Sequence, residues 1–504
     1  MSTETVVRAD TYGNISKPGR SGLMGLPLSV TIVGFVVILL MVAMLAKGWV
    51  LAGLGLLLFY GAASLLVMVT KKDGRSIYGR LMLKFMQRRK ERANKHVYIA
   101  GPAGKIADGT CRLPGMMAPS ELSEHSDPFG NRFGLIRAVS RTAKNYSVVI
   151  ETHPDGDELV DQSRVSQMVA HWGAWLADRG TDEGIRGASV TVESAPDSGL
   201  RLRRLMQSQA DDSASDFAAE VAAAIPQEYE GGAPTITTRI TVTFDGRAVD
   251  GSGKDRGVEE MAQEIGNRLS VLTSSLKDTG AGTAVRMCTA QEIIDFTRAA
   301  FDPTTASQIE EAQAEGGTGL RWEDAGPAFA LDAFDHYRHD RAFSKSWTMY
   351  EGPRGVFHSS ALRRILEPTP DVLRKRVTLL YRPIPAAEAT DLVERDINDS
   401  QWAASQKQRP SARALQRRAA ALKSAQEEAE GAGLVRFGIV VTVSAADPTR
   451  FKQLDKQIPA HFNQARLRVR PALGNQAVTF QAGLPLGLVL PDQMIIPDQV
   501  RDWM

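Results

Sequence analysis

From Leu26 to Thr70 the chain is apolar almost throughout, and Lys47 is the one charged residue in the run. A helix that spans a bilayer takes about 20 apolar residues. The run therefore holds two such helices, Leu26–Ala46 and Trp49–Val69, with a tight break at Lys47-Gly48. We expect a transmembrane hairpin, with Trp49 at an interface position. A cleaved signal peptide is the rival for the first helix, but no Ala-x-Ala site ends it and a second apolar span follows at once. A buried pair of core helices is the other rival, and soluble cores rarely run so far without charge.

After the hairpin the pattern changes. In Ser76–Lys95 the apolar residues Ile77, Leu81, Met82, Phe85 and Met86 recur at helical spacing among basic ones. This predicts an amphipathic helix at the membrane surface, with a basic helix docked on a soluble body as the alternative. Residues 1–25 are polar and read as a mobile N-terminus, residues 26–70 as the hairpin, and residues 71–127 as the basic juxtamembrane helix and a Gly/Pro-containing linker.

Two soluble units follow. In residues 128–308, Phe133–Ser140, Asn145–Thr152, Ala188–Val192, Thr235–Phe244 and Gly282–Met287 read as strands. Asp157–Ala177, Phe217–Ile225, Val258–Leu276 and Gln291–Phe301 read as helices. Residues 309–341 look like a connection. In residues 342–504 the strands are Ala342–Tyr350, Val372–Arg382, Leu434–Ser444 and Arg466–Pro471. Helices fall at Ser360–Leu366, Pro385–Asp399, Ala412–Glu430 and Phe451–Ala460, the second opened by Pro385 with Glu388 in its first turn. Strand–helix–strand–helix–strand with one long inserted helix suggests a ferredoxin-like layer. The fold class is thus a membrane-anchored α+β protein: a hairpin, then a mixed α/β cytoplasmic body of two units.

Charge orients the hairpin. Lys17 and Arg20 precede it; Lys71, Lys72, Arg75, Arg80, Lys84, Arg88, Arg89, Lys90, Arg92 and Lys95 follow it, opposed by Asp73 and Glu91 alone. Basic flanks mark the cytoplasmic side, so both termini and the body are expected there. Lys71, Lys72, Arg75, Arg80, Lys84, Arg88, Arg89, Lys90 and Arg92 are the candidate membrane-surface contacts. Over the whole 504 residues the net charge is only +2. The basic excess is local, which favours anionic lipid head groups over nucleic acid as the partner. Cys111 and Cys288, far apart and alone, make neither a disulfide framework nor a zinc site.

Candidate chemistry is thin. A phosphate-cradling loop ends in Gly-Lys-Ser/Thr. Here Gly251-Ser-Gly-Lys254 is followed by Asp255, and Gly104-Lys105 by Ile106, so both read as turns and nucleotide hydrolysis by that route is excluded. His336 and His339, flanked by Asp335 and Asp340, have the spacing of two metal ligands on a helix. No third ligand is nominated, and a solvated turn before a strand is the favoured reading. No Gly-x-Ser-x-Gly elbow is present. The basic stretch Arg409–Lys423 could track phosphates, but Glu427, Glu428 and Glu430 follow it, as in a solvated or partner-facing helix.

Two features together resemble a known family. The hairpin with its basic helix looks like the small PrgI-type membrane component of conjugative type IV secretion systems of Gram-positive bacteria. Lys375-Arg-Val-Thr-Leu-Leu-Tyr-Arg-Pro383, Glu394-Arg395, the helix to Glu430, Leu434-Val-Arg-Phe-Gly-Ile-Val-Val-Thr-Val443, Gln476 and Phe480-Gln-Ala-Gly-Leu-Pro-Leu-Gly-Leu488 are similar to the non-motor N-terminal half of the large conjugation ATPase. The likeness covers the anchor and roughly Arg341–Leu488 and contains no catalytic motif. It implies an actinobacterial fusion of the two parts: a structural, non-catalytic adaptor without cofactor or metal. Its implied partners are membrane lipids, a separate ATPase subunit and further subunits of an oligomer. An EccE-like core component of type VII secretion, also two-span with a soluble body, is the alternative. A membrane-bound enzyme using His336 and His339 is a further one.

Overall fold

In a computed structural model the described residues are 28–494, apart from 70–72, 105–108, 155, 157–159, 183, 198, most of 201–233, 249, 354–356, 406–411 and 432. The expected mobile N-terminus, Lys71 and Lys72 lie outside them, as do residues 219, 222, 223 and 225 of the expected Phe217–Ile225 helix, while its described residues Phe217, Ala218, Glu220, Val221 and Ala224 are helical.

Helices α1 (Leu28–Ala46) and α2 (Val50–Met68) pack side by side. The break between them is built by Gly48, whose φ of +79° only glycine adopts without cost. Gly48 N–H donates to Leu45 O and Trp49 N–H to Met44 O, which closes the end of α1 as a Schellman motif. Gly34 makes the close approach: a Cβ there would stand 2.6 Å from the Tyr60 hydroxyl. Large apolar side chains such as Leu39, Leu51, Leu58 and Phe59 point outward and are exposed. Among the described residues one helix is long and apolar enough to cross a bilayer, through Val50–Val67; the apolar stretch of α1, Thr31–Ala46, is shorter. Of the two expected spans, length and composition therefore support one.

Helix α3 (Ile77–Arg92) leads into a body built on a 13-stranded sheet. Its strands are β1 (Val97–Ile99), β2 (Ser120–Ser126), β3 (Arg132–Val139), β4 (Lys144–Thr152), β5 (Ile185–Ala195), β6 (Thr235–Asp245), β7 (Arg286–Met287), β8 (Phe329–Asp332), β9 (Tyr337–His339), β10 (Ala342–Glu351), β11 (Arg374–Pro383), β12 (Val435–Ala445) and β13 (Arg468–Pro471). The order is β1-β8-β9-β10-β12-β11-β5-β6-β4-β3-β2, with β13 on β10 and β7 on β4.

The helices of the body are α4 (Gln162–Thr181), α5 (Val258–Ser274), α6 (Ala290–Phe301), α7 (Ala306–Ala314), α8 (Arg363–Leu366), α9 (Ala386–Ser405), α10 (Ala412–Ala429), α11 (Phe451–Gln464) and α12 (Gln476–Ala482). Set against the strand order, they reveal a repeat. The series β2-β3-β4-α4-β5-β6-α5-β7-α6 and the series β8-β9-β10-α8-β11-β12-α11-β13-α12 have one topology. Each four-strand layer is antiparallel in the order β7-β4-β6-β5 or β13-β10-β12-β11. This is the ferredoxin-like arrangement expected of the second unit, present twice. In both, a long insertion separates the second and third strands: α9 and α10 in one, residues 196–234 in the other.

The repeats join through equivalent strands. β5 pairs antiparallel with β11 from Lys375↔Ser194 to Tyr381↔Ala188. The pairing is centred on Thr191 and Thr378, whose buried hydroxyls are 3.2 Å apart. The segment read as a connection, 309–341, holds most of α7 and all of β8 and β9, and β8 and β9 open the second repeat.

Strand alternation gives the sheet two covered faces. On one, Tyr146, Val148, Val242 and Phe244 pack under α4 and α5 with Trp175, Met261, Ile265 and Leu269; Trp347, Val377, Val441 and Val443 pack under α11 with Leu454, Ile458 and Phe462. On the other, α6, α12 and the chain after α12 bury Ile136, Val149, Ile293, Phe301, Phe480, Leu484 and Leu486.

Candidate membrane-facing surface

Ser76 caps α3, its hydroxyl accepting from Gly79 N–H at 3.0 Å, and Arg89, Lys90 and Arg92 sit in the last turn, where cations suit the helix dipole. One side of α3 is fixed to the body. Gln87, 4% exposed, donates to Asp332 O at 3.0 Å. Lys90 pairs with the Asp332 carboxylate, whose other oxygen accepts from Ala477 N–H at 3.1 Å. Leu83 lies against Gly474.

The other side faces out. Tyr78, Leu81, Phe85 and Met86 are each more than half exposed, and Met82 is 37% exposed. Lys84, Arg88, Arg89 and Arg92 are exposed as well. The apolar residues occupy the first three turns, next to α2, and most of the cations follow toward the C-terminal end. The docked-helix alternative thus holds for one side of α3, and the opposite side exposes apolar and basic side chains together.

The candidate contacts divide accordingly. Lys84, Arg88, Arg89 and Arg92 are outward. Lys90 is turned to the body, and Arg80 is engaged by Asp73 at 2.6 Å. Burial pushes the Asp73 carboxyl up, and the Arg80 hydrogen bond and charge outweigh that to hold it below the usual range. Arg75 is half-buried; burial, and then the charge of Arg470, lower it to about 10. Sequence reasoning missed Asp332, Gln87 and Arg470 as partners of this region, because each acts through a fold contact that no local spacing announces.

We expect Asp332→Asn to weaken the docking of α3 by about 1–3 kcal/mol, since Lys90 loses its partner. Limited proteolysis in α3 should then speed up about tenfold, with the body otherwise intact.

The other sequence candidates come apart. His339 is in a strand, not a helix or a solvated turn. It is fully buried, with Nδ1 on Phe301 O and Nε2 on Ser344 Oγ at 2.6 Å, and burial lowers it to about 4, so it is a neutral core residue. His336 pairs with Asp335 at 2.8 Å. Among the described residues no three His, Cys, Asp or Glu gather to hold a metal ion. Gly251 and Gly253, at φ of +76° and +66°, form a turn with Asp250 accepting from Ser252 N–H at 2.8 Å. In the basic stretch, Arg417 lies 3.9 Å from Asp396 and Lys423 3.4 Å from Glu427; Arg409 lies outside the described residues. Burial pushes the Cys288 thiol up to about 12, which makes it inert.

A cavity of about 340 Å³ lies between strands β5, β11 and β12 and the segment Leu484–Pro491. Its lining is largely apolar, and Tyr381, Arg382 and Arg436 are its titratable side chains. Among the described residues that line it, no general base stands beside a nucleophile.

No family model matches the chain, and no curated protein matches it.

Proposed function

We propose that the protein is a membrane-tethered, non-catalytic scaffold of a conjugative type IV secretion machine, holding a separate cytoplasmic ATPase at the bilayer. The observation that carries the tethering is α3, which presents an apolar stripe beside α2 while Asp332 locks its inner side to the body. The cations farther along α3 suit anionic head groups. The type of machine rests on the resemblance of the anchor and of Arg341–Leu488. In this reading both apolar helices cross the membrane, and both termini and the body are cytoplasmic.

Two experiments test it. External protease on intact protoplasts is expected to spare the body, and digestion of the bulk of the chain from outside would overturn the topology. Mild detergent extraction is expected to co-purify an ATPase from the same gene cluster. Recovery of the scaffold alone would overturn the adaptor role.

A further inference from the structure

We propose that Arg75 and Arg470 together hold the phosphate of an anionic phospholipid at the end of α2, an inference that rests on the membrane reading above. The link from α2 to α3 lies on Tyr350. Gly74 has φ of +68°, and a Cβ there would stand 2.5 Å from the Tyr350 ring, so only bare backbone fits. The Arg470 guanidinium sits over the same ring, 5.4 Å from its centre. Arg75, the next residue after Gly74, feels the Arg470 charge directly.

The two guanidiniums are under-compensated. Asp73 is the acid that faces both, and it is engaged by Arg80 at 2.6 Å. Three guanidiniums thus share one carboxylate. Nη1 of Arg75 and Nε of Arg470 have no hydrogen-bond partner among the described residues, nor, beyond the Arg80 contact, do the two Asp73 oxygens, and both arginine side chains stay partly exposed, open to a ligand from outside. A buried guanidinium stays charged, and a donor left unpaired in the interior costs about 1–3 kcal/mol. A phosphate diester brings one negative charge and several acceptor oxygens, in the geometry the planar arginine fork matches. Met68 ends the apolar helix a few residues before Arg75, which places this pair at head-group depth.

The test uses the full chain in nanodiscs of phosphatidylcholine with a minority of phosphatidylglycerol. The lipid retained after gentle release into detergent is counted by native mass spectrometry. Wild type is expected to keep phosphatidylglycerol over phosphatidylcholine, and Arg75→Gln and Arg470→Gln each to lower that retention about tenfold. Arg395→Gln, an exposed arginine on α9 of the body, should leave it unchanged. Equal retention in all four proteins overturns the site. Complete displacement of the retained lipid by excess inorganic phosphate overturns the lipid as its ligand. Failure of wild type to enter nanodiscs at all would strike the membrane reading itself, which separates the two.

Discussion

Glu193→Ala is expected to cost about 3–5 kcal/mol, because it strands two buried cations at the seam between the repeats. Glu193 is buried on β5, opposite Arg376 of β11. Arg376 Nε donates to Oε2 at 2.7 Å, and Arg374 binds Oε1. Burial alone pushes the carboxyl up, yet the charges of Arg374 and Arg376 outweigh it and bring the group to about 2. A carboxylate lowered in the folded state stabilises above its unfolded value, near 4.5 here, and the benefit is lost as pH falls toward 2. Urea unfolding at pH 7 and pH 3 should therefore show a large gap between wild type and Glu193→Ala at pH 7 and a smaller one at pH 3. Replacing all three residues by apolar ones of similar volume should restore most of the loss. An unchanged urea midpoint in the single variant would mean that the seam does not depend on this pair.

The seam also marks what could be read from the chain and what could not. Strands such as Lys144–Thr152 and Val435–Ala445, and helices such as Val258–Ser274, were legible because their apolar positions recur at period 2 or 3.6. The same alternation misleads about the second face. Ser147, Thr191, Thr243, Ser346 and Thr378 sit where solvent-facing residues would, yet all are buried. They are satisfied by one another and by the chain that crosses them: Thr378 donates to Gly483 O at 2.7 Å and Thr243 to Gly487 O at 3.0 Å. Only the docking of α6, α12 and residues 483–494 makes that face interior, and this is a long-range event. His339 was misread for the same reason, since its neighbours Phe301 and Phe480 lie far along the chain.

The repeat lies in the order and pairing of strands, which no local periodicity announces. Of the membrane-facing candidates, the helix and its basic character were legible. Which cations face out was not: Arg88 and Lys90 look alike until Asp332 takes one of them.

The second large effect is expected at Phe480, which ties the two repeats together on that face. Phe480 is fully buried in α12. Its ring centre lies 5.2 Å from Phe301 of α6, 5.3 Å from Tyr337 and 4.8 Å from His339 of β9, and the Arg376 guanidinium sits over it at 5.7 Å. One ring thus touches α6 of the first repeat, β9 of the second and the seam. Aromatic truncation in a packed core costs about 3–5 kcal/mol. Phe480→Ala is expected at the upper end, because the cavity it leaves is walled by strands and by other rings that cannot close in. The hydrogen bonds downstream make the loss cooperative. With α12 loosened, the carbonyls of Gly483 and Gly487 leave Thr378 and Thr243, and the Arg186–Asp492 pair at 2.9 Å loses its lever. Hydrogen exchange should therefore show loss of protection spreading from residues 476–482 to 483–494 and to the facing β11 and β6, with α4 and α5 on the opposite face changing least. If protection were lost only within α12 while residues 483–494 stayed closed, the segment would be held by its own contacts and Phe480 would not be the tie.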